Sequence, residues 1–285
     1  MNARADAHAP TATATAAYLA AAEEAGLLGH LHGHPYVAGA HHDPALDEQR
    51  VLIEFCAPEI LLDAISLDTL AAQLLGESPG ATAVVVRTPG RLALEAPWER
   101  QLTYVRYDGE PVGAVSPPEG FAIRPAVPER DDAVVAEWIA RAVTDGSAEQ
   151  DTAADPEIVA AVAQDFLHLP DRVSYLAVAD GRPVGHATLL CAAHDDVTGR
   201  DHIELLDVLA DTADDCRRAV TAALTATAVA HAQGAGLPLI GHVVHPARNV
   251  APGRGEAVTA ALVRRGWRID HVYWRLAPDG TRNGE

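Results

Sequence analysis

The stretch YLAVADGRPVGH, residues 175–186, carries the clearest local signal in the chain. Two apolar runs flank Asp180-Gly181, a pattern typical of a β-hairpin because glycine adopts positive φ at no steric cost. Beyond this hairpin, apolar periodicity predicts alternating strands and helices. These are strands at 203–209, 238–244 and 268–276 and helices at 215–233 and 255–265. The region is therefore expected to fold as an α/β sandwich, with hairpins first and a strand–helix–strand unit later.

Upstream of the hairpin, the pattern predicts a strand at 121–124 and helices at 131–143 and 156–167. The preceding segment GAVSPPEG, residues 113–120, has two adjacent prolines and glycines at both ends, which is typical of a linker. We therefore place a boundary here, between an N-terminal α+β domain at 1–115 and a second domain at 118–277.

The N-terminal region alternates helical and strand patterns around one unusual segment, a histidine-rich loop predicted at 29–44. The other predicted elements are helices at 12–28 and 58–75 and strands at 51–55, 82–87 and 101–107. This content is too small for most large enzyme folds, but it suits a compact α+β unit.

The two regions share a short sequence pattern: residues 108–113 and 180–185 both read DGxPVG. One interpretation is that two unrelated hairpins use the same turn. The other is a decayed tandem repeat, in which the N-terminal domain is a degenerate second copy of the C-terminal one.

Composition excludes several classes of function. Among 285 residues, 40 are Asp or Glu and 21 are Lys or Arg, giving a net charge of −19 that would repel nucleic acid. No run approaches the roughly 18 apolar residues of a membrane span. The cysteines are widely spaced without a CxxC pair: Cys56, Cys191 and Cys216. We expect a globular protein of a reducing, cytoplasmic compartment, without nucleic-acid or membrane partners.

Three motifs together resemble the GNAT superfamily of N-acyltransferases over about 160 residues. They are FAIRPA at 121–126, the hairpin at 175–186 and RRGW at 264–267. The resemblance implies a mixed, mostly antiparallel sheet flanked by helices. It also implies acetyl-CoA as co-substrate, a small-molecule amine as acceptor, no metal, and a homodimer as one form of assembly. High Ala, Gly and Arg content further suggests a GC-rich bacterial genome, where such enzymes often serve specialised metabolism.

In this family, a helix N-terminus after the fourth strand binds the diphosphate of acyl-CoA, and glycines let the backbone approach. Here non-glycine residues, among them Arg217, Ala219 and Thr221, occupy those positions, beside Asp211, Asp214 and Asp215. The resemblance nevertheless assigns donor binding to this stretch. The assigned residues are Val208, Leu209, Ala210, Arg217, Arg218, Ala219, Val220 and Thr221. The alternative is that the aspartates only cap the helix.

The resemblance also nominates groups for proton transfer. Some members hold a catalytic Glu on the fourth strand, where this chain has Glu204; strand alternation predicts that only one of Glu204 and Asp207 faces the cleft. His242 and His245 at the end of the fifth strand are further base candidates, or ordinary hydrogen-bonded histidines. The family's usual acidic tyrosine is replaced by Leu262, and Tyr273 is a candidate substitute.

The histidine-rich loop, with its imidazoles and Asp43, has the ligand types of a metal site. Metal-dependent hydrolases need further ligands from repeated strand–helix units, and these are absent. We expect a polar loop near the cleft that helps define the acceptor pocket. The leading hypothesis is an N-acetyltransferase with direct transfer in a ternary complex; the alternatives are a non-catalytic scaffold and an acyltransferase that uses a carrier-protein thioester.

Overall fold

The computed structural model describes residues 14–43, 48–110, 115–246 and 250–277. The helices are α1 Ala16–Glu24, α2 Pro58–Leu61, α3 Ala64–Glu77, α4 Asp132–Glu149, α5 Pro156–Leu167, α6 Asp214–Ala235 and α7 Arg254–Arg264. The strands are β1 Leu28–Leu31, β2 His34–Asp43, β3 Glu48–Cys56, β4 Ala83–Pro89, β5 Glu99–Tyr107, β6 Phe121–Pro125, β7 Arg172–Ala179, β8 Arg182–Asp195, β9 Arg200–Ala210, β10 Leu239–Val244 and β11 Arg268–Leu276.

All the described strands belong to one sheet, in the order β1-β2-β3-β4-β11-β5-β10-β9-β8-β7-β6. The pairs β3–β4 and β9–β10 are parallel, and the other pairs are antiparallel. The expected mixed, mostly antiparallel sheet flanked by helices is therefore confirmed. The sheet also continues across the expected boundary near 115–118, because β5 lies between β10 and β11.

The sheet order is symmetric about the junction of β5 and β11. We call α1 to β5 the N-terminal copy and β6 to β11 the C-terminal copy. Each copy contains an antiparallel hairpin pair, a parallel pair joined by a helix, and a last strand. That last strand pairs with the other copy: β5 lies beside β10, and β11 lies beside β4.

The register between the two exchanged strands obeys the same symmetry. Val105 pairs with Ile269 at one end, and Arg100 pairs with Trp274 at the other. Each strand has one unpaired residue, Gln101 in β5 and Asp270 in β11, at corresponding places. This correspondence, down to the position of a bulge, supports the tandem-repeat interpretation of the chain.

The repeat does not, however, align the two DGxPVG motifs. Asp108 follows β5, where the N-terminal copy has already ended. The true counterpart of Asp180-Gly181 is His32-Gly33, which joins β1 to β2 with matching backbone angles. The φ values are 51° and 84° in the N-terminal turn and 49° and 76° in the C-terminal one. Residues 111–113 of the first motif lie outside the described residues.

One face of the sheet is covered by α3 and α6. Leu67 and Leu70 of α3 pack with Val84 and Val272, while Ala228 of α6 packs in the core built on β5, β9 and β10. On the opposite face, α4 and α5 cover only part of the C-terminal copy, where Val135 and Ala163 pack with Leu176. We call this the open face, and it carries the polar side chains discussed below. Burial of one sheet face against helices supplies the main hydrophobic stabilisation of both copies.

Several predicted elements need correction. The histidine-rich segment is a hairpin of β1 and β2, because the turn at His32-Gly33 lets its small and apolar residues alternate into the core. The helix predicted at 58–75 is two helices, since Asp63 caps α3 by accepting a hydrogen bond from the Ile65 N–H at 3.3 Å. The first helix starts at Ala16, where Thr15 caps it, and ends at Glu24.

Candidate active site

A β-bulge in β9 shapes the C-terminal copy. Thr188 of β8 pairs with Asp207 and Leu189 pairs with Leu205, so Leu206 is an extra residue without a partner. Alternation then restarts, so that Leu205 and Val208 both face the α6 core. Glu204 and Asp207 consequently both line cavities on the open face. The predicted placement of the two on opposite faces is wrong, because it assumed an unbroken strand; they share a face but line different cavities.

The N-terminal copy has the same bulge. Val37 pairs with Phe55 and Ala38 pairs with Ile53, which leaves Glu54 of β3 as the extra residue. Glu54 therefore stands where the C-terminal copy has Leu206.

Beyond the bulge, β9 and β10 separate. Their parallel pairing covers only Ile203–Leu205 and Leu239–Gly241. The strands then enclose, with α4 and α5, a cleft of about 410 Å³ that we call the C-terminal cleft. Its walls include Leu206, Asp207, Val208, Leu209, His242, Ile139, Ala142 and Phe166. Such a mostly apolar cleft with a few polar groups is typical of a small-molecule site.

A buried polar cluster forms one side of this cleft. His186 is fully buried, its Nε2 lies 2.9 Å from Oδ1 of Asp207, and its ring stacks on Trp138 at 5.4 Å. Burial lowers the pKa of His242, which the charge of Asp207 partly offsets. Among the described residues, neither Asp207 Oδ2 nor His242 Nδ1 has a hydrogen-bond partner. Because buried polar atoms are normally paired, these two are available to a ligand.

The corresponding place in the N-terminal copy is closed. Arg87 stands where His242 stands, and its guanidinium donates two hydrogen bonds to Asp195, at 2.9 and 2.8 Å, and one to Glu54 at 3.2 Å. Asp195 comes from the end of β8 in the other copy. Burial alone would raise the pKa of Asp195, but Arg87 holds it well below its usual range. Only about 60 Å³ of space is left here.

A second large cavity, of about 580 Å³, lies over the junction of the two copies, and we call it the seam cavity. Glu204 lines it, and burial raises the pKa of this carboxyl. Within the described part of the chain, Glu204 has no hydrogen-bond partner. Tyr104 also lines it, stacked on His271 at 4.3 Å and 5.7 Å from the ring of His242, which borders the C-terminal cleft.

The other predicted proton-transfer residues lie apart from the C-terminal cleft. Tyr273 lines the seam cavity, but its hydroxyl donates to Glu54 at 2.9 Å, and burial raises its pKa far above the usual value, so it keeps its proton. His245 is buried: its Nε2 contacts the Thr103 hydroxyl at 2.8 Å and its Nδ1 contacts Glu256 at 3.2 Å. His245 therefore matches the alternative of an ordinary hydrogen-bonded histidine.

The free N–H groups at the start of α6 come before several of the residues predicted to bind the donor. Helix α6 begins at Asp214, and the Arg217 N–H already bonds to Ala213 O at 2.8 Å. Since only the first N–H groups of a helix are free, those of 219–221 cannot face a ligand. Val220 is fully buried and Ala210 packs in the same core, while Thr221 is half-buried. Arg217, Arg218 and Ala219 are exposed near the helix start, and Val208 and Leu209 line the cleft.

The metal-ligand types of the histidine-rich segment and the possibility of a membrane span can both be checked against the structure. No group of three metal-ligating residues occurs within 14–43, 48–110, 115–246 and 250–277. Of the histidine-rich segment, His41 lines the seam cavity. Over the same ranges, no helix is both long and apolar enough to cross a membrane.

His186, Asp207 and Tyr104 are the site residues that sequence reasoning missed or ranked low. The bulge in β9 places Asp207 on the open face. Tyr104 belongs to the N-terminal copy, which the sequence pattern does not connect with proton transfer. The matched bulges at Leu206 and Glu54 leave no mark in sequence periodicity. The repeated DGxPVG pattern pointed to two similar sheets, but its two occurrences do not correspond in the fold.

Comparison with known proteins finds relatives in structure only. No protein-family model matches the chain, and a search of curated proteins finds no match. Among solved structures, a GCN5-related N-acetyltransferase from Sphaerobacter thermophilus superposes with a TM-score of 0.54 at 17% identity, over 85% of this chain and 76% of that one. A functionally unknown conserved protein from Staphylococcus epidermidis ATCC 12228 gives 0.50 at 10% identity, over 84% and 89%.

Proposed function

We propose that this chain, which has the fold of GCN5-related N-acetyltransferases, transfers an acyl group, most simply acetyl, from a CoA thioester to the primary amine of a small molecule. One observation carries the proposal. The C-terminal cleft is open where β9 and β10 separate, and the bulge at Leu206 turns both Glu204 and Asp207 toward the open face. The acceptor and donor would meet there in a ternary complex without a covalent enzyme intermediate.

The cleft and the start of α6 fit an acyl-CoA. Val208 and Leu209 offer an apolar wall for an extended chain. At the start of α6, the exposed side chains of Arg217 and Arg218 lie beside the first N–H groups, and guanidinium and helix N-terminus both attract phosphate. The bound co-substrate would supply the activated thioester carbonyl.

Glu204 is suited to take a proton from the incoming amine. Attack requires a free lone pair, so an ammonium must first lose its proton. Burial raises the pKa of Glu204, which makes it a stronger proton acceptor than an exposed carboxylate. The bulged residue Leu206 leaves backbone groups outside the sheet pairing, and an N–H there would polarise a carbonyl in the cleft.

Asp207 and His242 have a supporting role in this proposal. Both line the C-terminal cleft, and His186 orients Asp207 from the buried side. Their unpartnered atoms would hold polar atoms of the donor or acceptor near Glu204.

A second candidate function is transfer from a carrier-protein thioester. The Asp215 carboxylate already accepts the Cys216 N–H at 2.9 Å, and Arg141 pairs with Asp211 at 2.9 Å. Carboxylates thus occupy part of the anion site at α6. A donor held mainly by its pantetheine arm would tolerate this, because its phosphate would matter less.

The test is calorimetric titration of the protein with acetyl-CoA at moderate salt. We expect micromolar binding that is weakened about tenfold or more when Arg217→Glu and Arg218→Glu are combined, since each reversal places a like charge near phosphate. Arg265→Glu, at the end of α7, is the matched control. If the unmodified protein does not bind acetyl-CoA, the CoA proposal fails, and the carrier-protein donor or a non-catalytic scaffold would replace it.

A further inference from the structure

The seam cavity is larger than the C-terminal cleft, and the transfer chemistry accounts for only one of its lining residues, Glu204. The rest of its lining comes from both copies and from the end of the β8–β9 hairpin. Its charges are distributed unevenly, and they identify the kind of molecule that fits.

One end of the cavity carries a net negative charge. Arg87 is the single cation there, with two carboxylates, Asp195 and Glu54, bound to it at 2.8 and 3.2 Å. Arg200 lies 4.0 Å from Asp195 but is closer to Asp270, at 3.4 Å. Arg87 against Asp195 and Glu54 therefore leaves one excess negative charge. Glu54 is the more exposed partner, with 28% of its side chain accessible against 11% for Asp195, so the excess charge is accessible at Glu54.

The other end carries a second negative charge, Glu204, which lacks both a cation and a hydrogen-bond partner among the described residues. Tyr104 lies between the two ends. The sheet order supports this, because Tyr104 is on β5, which lies between β3 with Glu54 and β9 with Glu204. Burial first, and then the charges of the two carboxylates, raise the pKa of its hydroxyl. The Tyr104 hydroxyl has no partner in the described part of the chain either. The floor of the cavity is thus a largely buried phenol flanked by two carboxylates.

The remaining titratable groups do not cancel these charges. Burial lowers the pKa of His202 and of His271, so both are neutral near pH 7. At the rim, the hydrogen bond that the His194 ring donates to Asp201 raises the pKa of His194, whose ring is 4.0 Å from the exposed Asp196. His41 is the other imidazole in the lining.

We infer that the seam cavity binds the acceptor, and that the acceptor is a linear diamine or polyamine with one amino group at Glu204 and a second, cationic group at Glu54. The designation as acceptor rests on the proposed function. The aromatic rings of Tyr104, Tyr273 and His271 suit the alkyl chain and the cation between the two ends.

This assignment also explains how product would leave. Acylation forms an N–C bond at one amine, breaks the C–S bond of the thioester so that CoA leaves as its thiol, and releases one proton from the ammonium. The amide product therefore has one positive charge fewer than the substrate. The product keeps its contact at Glu54 and loses its ion pair at Glu204, and it is therefore held less tightly than the substrate.

Four described strands lie between β3 and β9, and neighbouring strands are about 4.8 Å apart, so the probe must be long. The test measures binding without any donor, by calorimetry with 1,10-diaminodecane and, as the matched monoamine, decylamine. We expect the diamine to bind about tenfold more tightly or better, because it makes one additional charge-assisted contact in a partly buried site. Glu54→Gln keeps an oxygen for Tyr273 and should remove most of that preference. Asp196→Asn, at the exposed rim, should leave it within about twofold.

Equal affinities for the diamine and the monoamine in the unmodified protein would overturn the inference, with no variant needed. Unchanged diamine affinity in a Glu54→Gln protein with normal thermal unfolding would also overturn it. Failure of the proposed function is separately visible. If the diamine binds but acetyl-CoA does not, the seam cavity is a diamine site, but the diamine is not the acceptor of an acyl transfer from CoA.

Discussion

The two places where parallel strands separate, β9–β10 and β3–β4, share topology, register and a bulge, yet one is an open cleft of about 410 Å³ and the other has about 60 Å³. His242 and Leu206 stand in the open copy where Arg87 and Glu54 stand in the closed one. A long cation beside a carboxylate fills the space that an imidazole and a leucine leave free. The fold provides the opening in both copies, and a few side chains determine whether it can receive a ligand.

The closed copy has a different use. Asp195, at the end of β8, anchors the C-terminal hairpin onto Arg87 of the N-terminal copy. This places His194 to Val197 against the seam cavity. The N-terminal copy has thus exchanged a ligand site for a contact that shapes the neighbouring one.

The largest effect is expected when the cation Arg87 is removed from the closed copy. Arg87→Met removes the cation that Asp195 and Glu54 share and leaves them mainly the hydroxyls of Thr198 and Tyr273. We expect a loss of about 3 to 5 kcal/mol in the free energy of unfolding. Urea denaturation at pH 7 measures it. Arg217→Met, an exposed arginine in a local pair with Asp214, should change stability by less than about 0.5 kcal/mol. Equal effects would show that the Arg87 network does not hold the copies together.

Glu204 in β9 and its counterpart Leu52 in β3 allow a direct comparison of the two copies in catalysis. Glu204→Gln should lower kcat by about 10² to 10³, because it removes the proton acceptor while keeping the shape. Leu52, the counterpart of Glu204 in β3, should tolerate Leu52→Met with kcat within about threefold. A steady-state assay with acetyl-CoA and a diamine makes the measurement. Retention of kcat in Glu204→Gln would move the base elsewhere, first to Asp207.

The open cleft can be made to resemble the closed one. Ala142 of α4 lines the C-terminal cleft, and Ala142→Trp fills it without adding charge. We expect acetyl-CoA affinity to fall at least about 100-fold, or about 2.7 kcal/mol, by calorimetry. Ala136→Trp, on the same helix but outside the cleft lining, is the control. An unaffected affinity in Ala142→Trp would place the donor outside this cleft.

The two regions should also respond oppositely to pH. Arg87 lowers the folded-state pKa of Asp195, so this carboxylate stabilises the protein above about pH 4, the unfolded value, and the stabilisation is lost as pH falls further. Asp195→Asn should therefore cost about 2 kcal/mol at pH 7 and progressively less below pH 4.

For Glu204 the sign is reversed. Burial raises its folded-state pKa, so the unfolded chain gives up the proton first and stability falls as pH rises above about 4.5. Glu204→Gln should raise stability by about 1 kcal/mol at pH 8 and have little effect at pH 4. Denaturation at three pH values measures both variants. Parallel pH trends in the two would contradict the difference in environment.

Local elements were well predicted from the sequence. Pro156–Leu167 and Arg268–Leu276 match the structure residue for residue, since each has strong periodicity and a clear stop signal. The hairpin at Asp180-Gly181 and the resemblance to GNAT proteins led to the correct fold. The histidine-rich hairpin was missed because its residues have weak strand propensity and the glycine turn at Gly33 was not recognised.

The arrangement of the site could not be predicted, because it depends on long-range pairing. A bulge at Leu206 adds no signal to the apolar pattern, yet it decides where Asp207 points. Tyr104 reaches the site because β5 enters the other copy's sheet, and no local property of 99–107 indicates its partner. The resemblance assigned donor binding to residues 219–221, but the helix predicted from Asp215 and observed from Asp214 holds their N–H groups in its own hydrogen bonds.

The exchange of β5 and β11 has a consequence for how the chain is made. The N-terminal copy needs β11 as its last strand, and β11 follows all the other described strands in chain order. Until β11 is synthesised, β4 has an unpaired edge while the rest of its copy is already present, and such edges favour aggregation. Neither copy can finish folding before β11 is available, so the two copies should gain their stability together instead of in succession.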